Sequence, residues 1–159
     1  MQWNAKKNII RSILTVLFIA VFVTGCTKNE KKQDYSRQKA EDVQAADMIA
    51  KSVEATINDE VMFLLISQTT YKMFEIEASE SGGITFTYQD TDKEYLKPFT
   101  EDVGKGIDYT VPKFSYTTKD WQPSIWRVFI KNDYSVEVFA TNGTEAIMLY
   151  PYTDSMYRR

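Results

Sequence analysis

One apolar stripe through residues 36–66 constrains the fold of this chain most. Its members recur at steps of three and four, as Val43, Ala46, Ile49, Ala50, Val53, Ile57, Val61 and Leu64. This helical period predicts one long amphipathic helix over residues 36–66. Residues 61–66 are apolar on every side, which predicts either a helix end deep in the core or a short buried strand. Because an isolated amphipathic helix is marginal in water, the stripe must be buried against another layer.

That second layer is predicted to be an antiparallel sheet. Apolar and polar residues alternate over 71–78 and 84–88, and the glycines between these segments indicate a hairpin turn. Three further strands are predicted at 126–131, 135–140 and 145–150. Short turns join these three, so they are expected to form an antiparallel meander.

A shorter helix and a loop separate the hairpin from the meander. The helix is predicted over residues 91–103, with Pro98 as a potential break point, and the loop over residues 105–124. Strands grouped after a long helix favour an α+β fold, in which the N-terminal amphipathic helix packs on the antiparallel sheet. We expect residues 36–159 to form this single domain.

The first 25 residues have the composition of a targeting segment. Basic residues but no acidic residue precede the apolar run Ile13–Val23, which has 11 residues. A helix of that length rises about 16 Å, whereas the bilayer core is about 30 Å thick. The pattern is typical of a secretory signal peptide over residues 1–25. The alternative is an uncleaved membrane anchor that starts near Ile9.

The residues that follow the apolar run are Val23-Thr24-Gly25-Cys26, and Cys26 is the single cysteine of the chain. They resemble the lipobox of bacterial lipoproteins, which usually has Leu where Val23 stands and Ala or Ser where Thr24 stands. The resemblance implies that Cys26 becomes the mature N-terminus and carries a diacylglycerol anchor and palmitate. Two or more acyl chains suffice for stable anchoring. The implied location is the extracytoplasmic side of the bacterial cell membrane.

Residues 26–35 are then the lipidated cysteine and a charged tether. Cleavage after residue 25 would remove three basic residues and no acidic one, so the mature chain would be more acidic than the whole chain, whose net charge is −3. This acidity argues against nucleic acid as a partner. Basic residues concentrate in segment 27–39, which either contacts anionic headgroups or serves as a solvated tether.

The order of elements resembles the globular part of type IV pilins and pseudopilins. The likeness is carried by the helix segment Ala45–Ile57 and by the closing strands Trp126–Ile130, Val136–Val138 and Leu149–Pro151, over roughly residues 40–151. It implies a long helix laid across an antiparallel sheet. Pilins, however, keep their apolar N-terminal stretch for filament assembly, whereas here that stretch is predicted to be removed and replaced by lipid. The resemblance therefore implies a membrane-tethered, pilin-like fold that is not a pilus subunit.

The residue inventory limits the chemistry. The chain has no His and a single Cys, which excludes Ser/His and Cys/His catalytic pairs, Cys/His zinc sites and an intramolecular disulfide. We therefore expect a protein that is not an enzyme and needs no cofactor. Asp90, Asp92 and Glu94 have the alternate spacing of a calcium loop, but Tyr95 replaces the glycine that an EF-hand requires. An acid-rich helix start is the other explanation, and the choice stays open.

Aromatic residues near the loop and the C-terminal edge form the candidate binding surface: Trp121, Trp126, Tyr150 and Tyr152. Such residues are enriched at protein contacts. The favoured function is a non-enzymatic module that binds a protein or another envelope component. The alternative is a small-ligand- or substrate-binding lipoprotein that uses the aromatic loop 105–126. The tail 156–159 is expected to lie past the fold.

Overall fold

A computed structural model describes residues 34–79, 83–108, 111–114 and 121–158. The chain divides into two units, Met1–Arg37 and Gln38–Arg159, and the architecture below is that of the second, apart from residues 34–37 at the start of the first helix. The predicted signal peptide, Cys26 and most of the predicted tether lie outside the described residues. Within the described ranges, no helix is both long enough and apolar enough to cross a bilayer.

The described part of the chain is an α+β structure with three α-helices and a five-stranded antiparallel sheet. Helix α1 covers residues 34–57 and α2 covers Glu60–Ser67. Residues 34 and 35, which were assigned to the tether, are therefore helical. The prediction of one helix over 36–66 is wrong at Asp59, whose Oδ1 accepts hydrogen bonds from the backbone N–H of Val61 (3.0 Å) and of Met62 (3.1 Å). This N-cap starts a new helix because it accepts hydrogen bonds from backbone N–H groups of the first turn of α2, which have no partner within that helix.

The break at Asp59 changes what the end of the apolar stripe does. Ala46, Ile49, Ala50 and Val53 of α1 are buried as predicted. In α2, by contrast, Ile66 is the buried residue, and the segment is neither a helix end deep in the core nor a buried strand. The apolar run at 61–66 thus supplies one core side chain and an exposed apolar face.

The predicted strands are confirmed. They are β1 (Met73–Ala78), β2 (Ile84–Tyr88), β3 (Ile125–Ile130), β4 (Val136–Thr141) and β5 (Ala146–Tyr150). All neighbours are antiparallel, and the order across the sheet is β2-β1-β3-β4-β5. Because β1 pairs with β3, the hairpin and the meander form one continuous sheet.

A 3₁₀ turn at Asp90–Asp92 leads into α3, Lys93–Lys105. Pro98 does not break α3, because the missing N–H costs one hydrogen bond while the buried side of the helix holds it in place. That side includes Phe99, whose ring centroid lies 6.4 Å from that of Phe74 on β1.

Alternation along the strands gives the sheet two different faces. Phe74, Trp126, Val128 and Val138 point to the core face and are buried. The Tyr150 hydroxyl on β5 donates a 2.8 Å hydrogen bond to the Glu54 carboxylate on α1, which places α1 on this face. On the outer face, pairs such as Glu75–Arg127 and Phe129–Glu137 are partly exposed. The outer face is thus available for contacts that the core face cannot make.

Candidate functional site

The four aromatic residues predicted as a binding surface do not form one exposed surface. Trp121 is 1% exposed and Trp126 is 0% exposed, so both tryptophans belong to the core. Trp126 is buried because it stands on the core face of β3. Tyr150 is half-buried and bonded to Glu54, whereas Tyr152 is 75% exposed. The predicted surface is corrected accordingly: Tyr152 alone of the four presents most of its side chain to solvent.

The expectation for the C-terminal tail is also wrong. Tyr157 is buried, and its hydroxyl accepts a 3.3 Å hydrogen bond from Trp121 Nε1. The Asp42 carboxylate of α1 lies close to the same hydroxyl. Burial raises the pKa of the Tyr157 phenol well above its usual range, so this group stays neutral. The tail is therefore part of the core.

Asp42 anchors a segment of the loop to α1. Its carboxylate accepts hydrogen bonds from the backbone N–H of Lys113 (2.7 Å) and of Phe114 (3.0 Å). Burial raises the pKa of Asp42, while these two N–H groups act in the opposite direction. Because both of its oxygens accept from backbone amides, the carboxylate stabilises the folded chain at this point.

A groove of about 640 Å³ lies between α1, β5 and the tail. Its lining includes Lys39, Tyr150, Tyr157 and Arg158. Lys39 Nζ stands 4.7 Å from the centroid of the Phe114 ring, and Arg158 Nε donates to the Thr153 carbonyl at 2.9 Å. Both cations of the groove are thus engaged with the protein, although each keeps donors that a ligand could use.

A second groove, also of about 640 Å³, separates α1 from the end of α3. Gly106, Asp108 and Lys113 contribute to it from the predicted loop 105–126, but no aromatic side chain lines it among the described residues. The ring of tryptophan and tyrosine that a ligand-binding loop would need is therefore not formed there. Residues 109–110 and 115–120 of that loop lie outside the described residues.

The acidic cluster at 90–94 is used within the fold. The Asp92 carboxylate is buried and accepts the backbone N–H of Thr70 (2.9 Å) and of Tyr71 (3.0 Å), which ties the entry of β1 to the start of α3. Asp90 and Glu94 are exposed. Among the side chains that the structure describes, no group of three or more Asp, Glu, Cys or His residues could hold a metal ion.

On the outer face, Glu75 is paired with Arg127. Its Oε1 accepts from Arg127 Nε at 2.7 Å and from an Arg127 terminal nitrogen at 2.6 Å. Glu77 lies opposite Thr85 on β2. The Glu75 and Arg127 side chains thereby join β1 to β3 across the outer face.

Among the described residues, exposed large apolar side chains cluster at the end of the domain formed by α2, the β3–β4 turn and the adjoining outer face. We call it the apolar end; it comprises Val61, Phe63, Leu64, Tyr71, Phe129, Tyr134 and Phe139. Val61 is 62% exposed, Leu64 55% and Tyr71 41%.

Aromatic contacts join the parts of the apolar end. The ring centroids of Phe63 and Tyr134 are 4.8 Å apart, those of Tyr71 and Phe129 are 6.2 Å apart, and those of Phe129 and Phe139 are 5.7 Å apart. The sequence interpretation missed this surface because it treated residues 61–66 as core. The signal that could have revealed it is Asp59, a residue type favoured at helix N-caps, which stands in the middle of an otherwise continuous stripe.

The chain matches no protein-family model, no curated protein and no solved structure.

Proposed function

We propose that this protein is a bacterial lipoprotein whose α+β domain acts, without catalysis, as a protein-binding module on the outer side of the cell membrane. Cys26 would carry the diacylglycerol anchor, and residues 1–25 would be the signal peptide. The apolar end would be the docking surface. The observation that supports docking most is the exposure of Val61 and Leu64 on a helix whose neighbour Ile66 is fully buried.

Leaving these side chains in water is costly unless a partner covers them. Apolar surface gains roughly 25 cal/mol for each Å² removed from water, and contiguous exposed apolar patches on soluble domains commonly mark interaction sites. Aromatic residues such as Phe63 and Tyr71 are the side chains that contribute most at protein interfaces. Exposed charges at Glu60 and Lys131 border the patch, which gives it the polar rim of an interface.

The pilin-like character of the fold is part of the proposal. It is supported by a long N-terminal helix, held to the core face of an antiparallel sheet by contacts such as Tyr150–Glu54. In pilins the helix continues into a membrane-embedded stretch, and in this chain lipid at Cys26 would take over that anchoring role. The domain would then stay close to the membrane while its apolar end remains available.

A small-ligand-binding lipoprotein is the second candidate. It is favoured by the groove between α1 and β5, where Tyr150, Tyr157, Lys39 and Arg158 line a concave surface. A fragment screen by NMR would test it. Saturable shifts confined to the groove, and lost in the Lys39→Ala variant, would support this function over docking.

The docking function is tested with a photo-crosslinking amino acid at position 64 of the full-length chain in the producing bacterium. We expect one discrete protein adduct there and none from the same probe at Thr144, an exposed position in the β4–β5 turn. The purified adduct partner should bind the wild-type chain and not the Leu64→Glu variant. Equal adducts from positions 64 and 144 would argue against the apolar end as a docking surface.

A further inference from the structure

We propose that the β2 edge of the sheet pairs with the same edge of a second copy of this chain. The two copies would be related by a two-fold axis, and their sheets would join into one antiparallel sheet. The pairing involves β2 and not the apolar end. A test of the pairing is therefore independent of a test of the docking function.

The two edges of the sheet differ in how they are protected. Beyond β5, the backbone N–H of Asp154 donates to the Met148 carbonyl at 3.0 Å, and Thr153 Oγ1 approaches the Leu149 carbonyl at 3.4 Å. The C-terminal tail thus covers the β5 edge. No comparable backbone bond joins the outer side of β2 to another described residue.

The register of the hairpin identifies the groups that the β2 edge exposes. The Ser79 N–H donates to the Gly83 carbonyl at 2.9 Å, so alternate residues after Gly83, namely Thr85 and Thr87, bond toward β1. The backbone N–H and C=O of Ile84, Phe86 and Tyr88 therefore point away from the sheet. They form a regular row of donors and acceptors that bond to no other residue in the described part of the chain.

Natural sheets usually protect such a row with charged residues, proline or a bulge. The β2 strand, Ile84–Tyr88, contains no charged residue and no proline, and its register with β1 is regular. All five residues are β-branched or aromatic, which favours extended pairing. The sequence of β2 is therefore favourable for pairing with another strand along its outer edge.

A second copy fits this edge because the strand is self-complementary. With a two-fold axis at Phe86, Ile84 lies opposite Tyr88 of the second copy, and all outward N–H and C=O groups of β2 find partners. Thr85 then lies opposite Thr87 of the second copy on the outer face. Aromatic–β-branched and Thr–Thr pairs are both favourable across strands, and no like charges face each other.

The position of α3 leaves room for this pairing. Gly104 of α3 approaches the Phe86 ring and the Ile84 side chain, and a Cβ at residue 104 would stand 3.2 Å from the Phe86 ring. Both side chains are on the core face, so α3 contacts the strand from that face. The direction of the sheet hydrogen bonds is perpendicular to this contact.

The register is tested with two differently tagged full-length chains in detergent micelles, one carrying Thr85→Cys and the other Thr87→Cys. After mild oxidation, we expect the mixed disulfide to exceed the Thr85→Cys homodimer about tenfold, since facing Cβ atoms are within bridging distance and the others are not. The amount of disulfide-linked dimer in the unsubstituted chain measures any link through Cys26. The amount in the Thr144→Cys variant measures disulfides that form by random collision. A mixed disulfide no more abundant than that of Thr144→Cys, or a disulfide to a different protein, would overturn the proposal.

A charge test addresses association without crosslinking. The double variant Thr85→Lys/Thr87→Lys places lysines opposite each other in the proposed dimer, which should weaken it about fivefold. Both threonines are exposed, so the thermal unfolding transition should not move. Sedimentation velocity of the full chain measures the dimer fraction, with Thr144→Lys as the matched control. A wild-type chain that remains monomeric, or equal dimer fractions in all three proteins, would contradict the pairing.

Discussion

The Asp42 carboxylate on α1 accepts a hydrogen bond from the backbone N–H of Phe114, 3.0 Å away and 72 residues later in the chain. The neighbouring N–H of Lys113 donates to the same carboxylate at 2.7 Å. Tyr157 joins the cluster from the C-terminal tail. One buried acid thus holds together the first helix, the loop before β3 and the end of the chain.

Asp42→Asn should destabilise the protein by about 1–3 kcal/mol, because an asparagine side chain has one acceptor oxygen and would leave a buried N–H without a partner. Urea unfolding at neutral pH measures the change. The matched control is Asp47→Asn on the same helix. Asp47 pairs with Lys51 at 2.6 Å, but both side chains are substantially exposed, at 44% and 68%, so its loss should cost under about 0.5 kcal/mol. Equal losses in the two variants would show that Asp42 does not act as described.

The Asp42 cluster also predicts a pH dependence. Burial raises the folded-state pKa of Asp42 above its usual value of 3.8, so the folded protein binds this proton more tightly than the unfolded chain does. Its contribution to stability is therefore largest below the unfolded pKa and falls as the pH rises through the raised folded pKa. The stability advantage of the wild type over Asp42→Asn should grow between about pH 7 and about pH 4. An advantage that shrinks on acidification would contradict the direction of the shift.

Tyr157→Ala should lower the free energy of unfolding by about 3–4 kcal/mol, since it removes a buried aromatic side chain and a hydrogen-bond partner of Trp121. Tyr152→Ala, five residues earlier in the chain, removes a side chain that is 75% exposed and should change stability by less than about 0.5 kcal/mol. Thermal unfolding of the two variants distinguishes a tail within the core from one beyond it. Indistinguishable melting temperatures of the two variants would show that the tail is not part of the core.

Two neighbours on α2 test the orientation of that helix. Ile66 is fully buried, so Ile66→Ala should cost about 2–5 kcal/mol. Leu64 is 55% exposed, and Leu64→Ala should cost less than about 0.5 kcal/mol. Chemical denaturation measures both. A larger cost at Leu64 than at Ile66 would mean that α2 buries the opposite face.

Asp59→Ala should destabilise the protein by about 1 kcal/mol, because the N-cap acceptor of α2 is lost. Asn58→Ala is the control, since Asn58 is exposed and bonded in the structure through its backbone N–H, to Glu54. We expect it to change stability by less than about 0.5 kcal/mol. Hydrogen exchange of the α2 amides should also accelerate in Asp59→Ala. An unchanged exchange rate would show that the break between α1 and α2 does not depend on this cap.

Most of the secondary structure could be predicted from the sequence, because alternation and helical periodicity report directly on burial. The strands around Ile76, Val128 and Val138 were found in this way, and so was the stripe around Ala50. The break at Asp59 was missed because the apolar period continues across it, while the local capping bond decides where the helix stops. Helix propensity and apolar periodicity carry no information about a single hydrogen bond between a side chain and the backbone.

The candidate sites were harder to predict because a large aromatic residue looks the same in the sequence whether it is buried or exposed. Trp121 and Trp126 are of a residue type that is common at binding surfaces, but tertiary contacts place them in the core. Conversely, Leu64 continues an apolar stripe and yet faces solvent. Which face of a helix or loop meets the sheet depends on contacts distant in the chain, such as Asp42 with Phe114, and no local pattern encodes them.

The central claim is that lipid on Cys26, and not an apolar peptide, holds this domain at the membrane. Mass spectrometry of the N-terminal peptide from the membrane fraction of the producing bacterium tests it most directly. The account predicts a mature chain that begins at Cys26 and carries a diacylglycerol mass on that residue. A mature chain in which residues 1–25 are still attached and Cys26 is unmodified would contradict it.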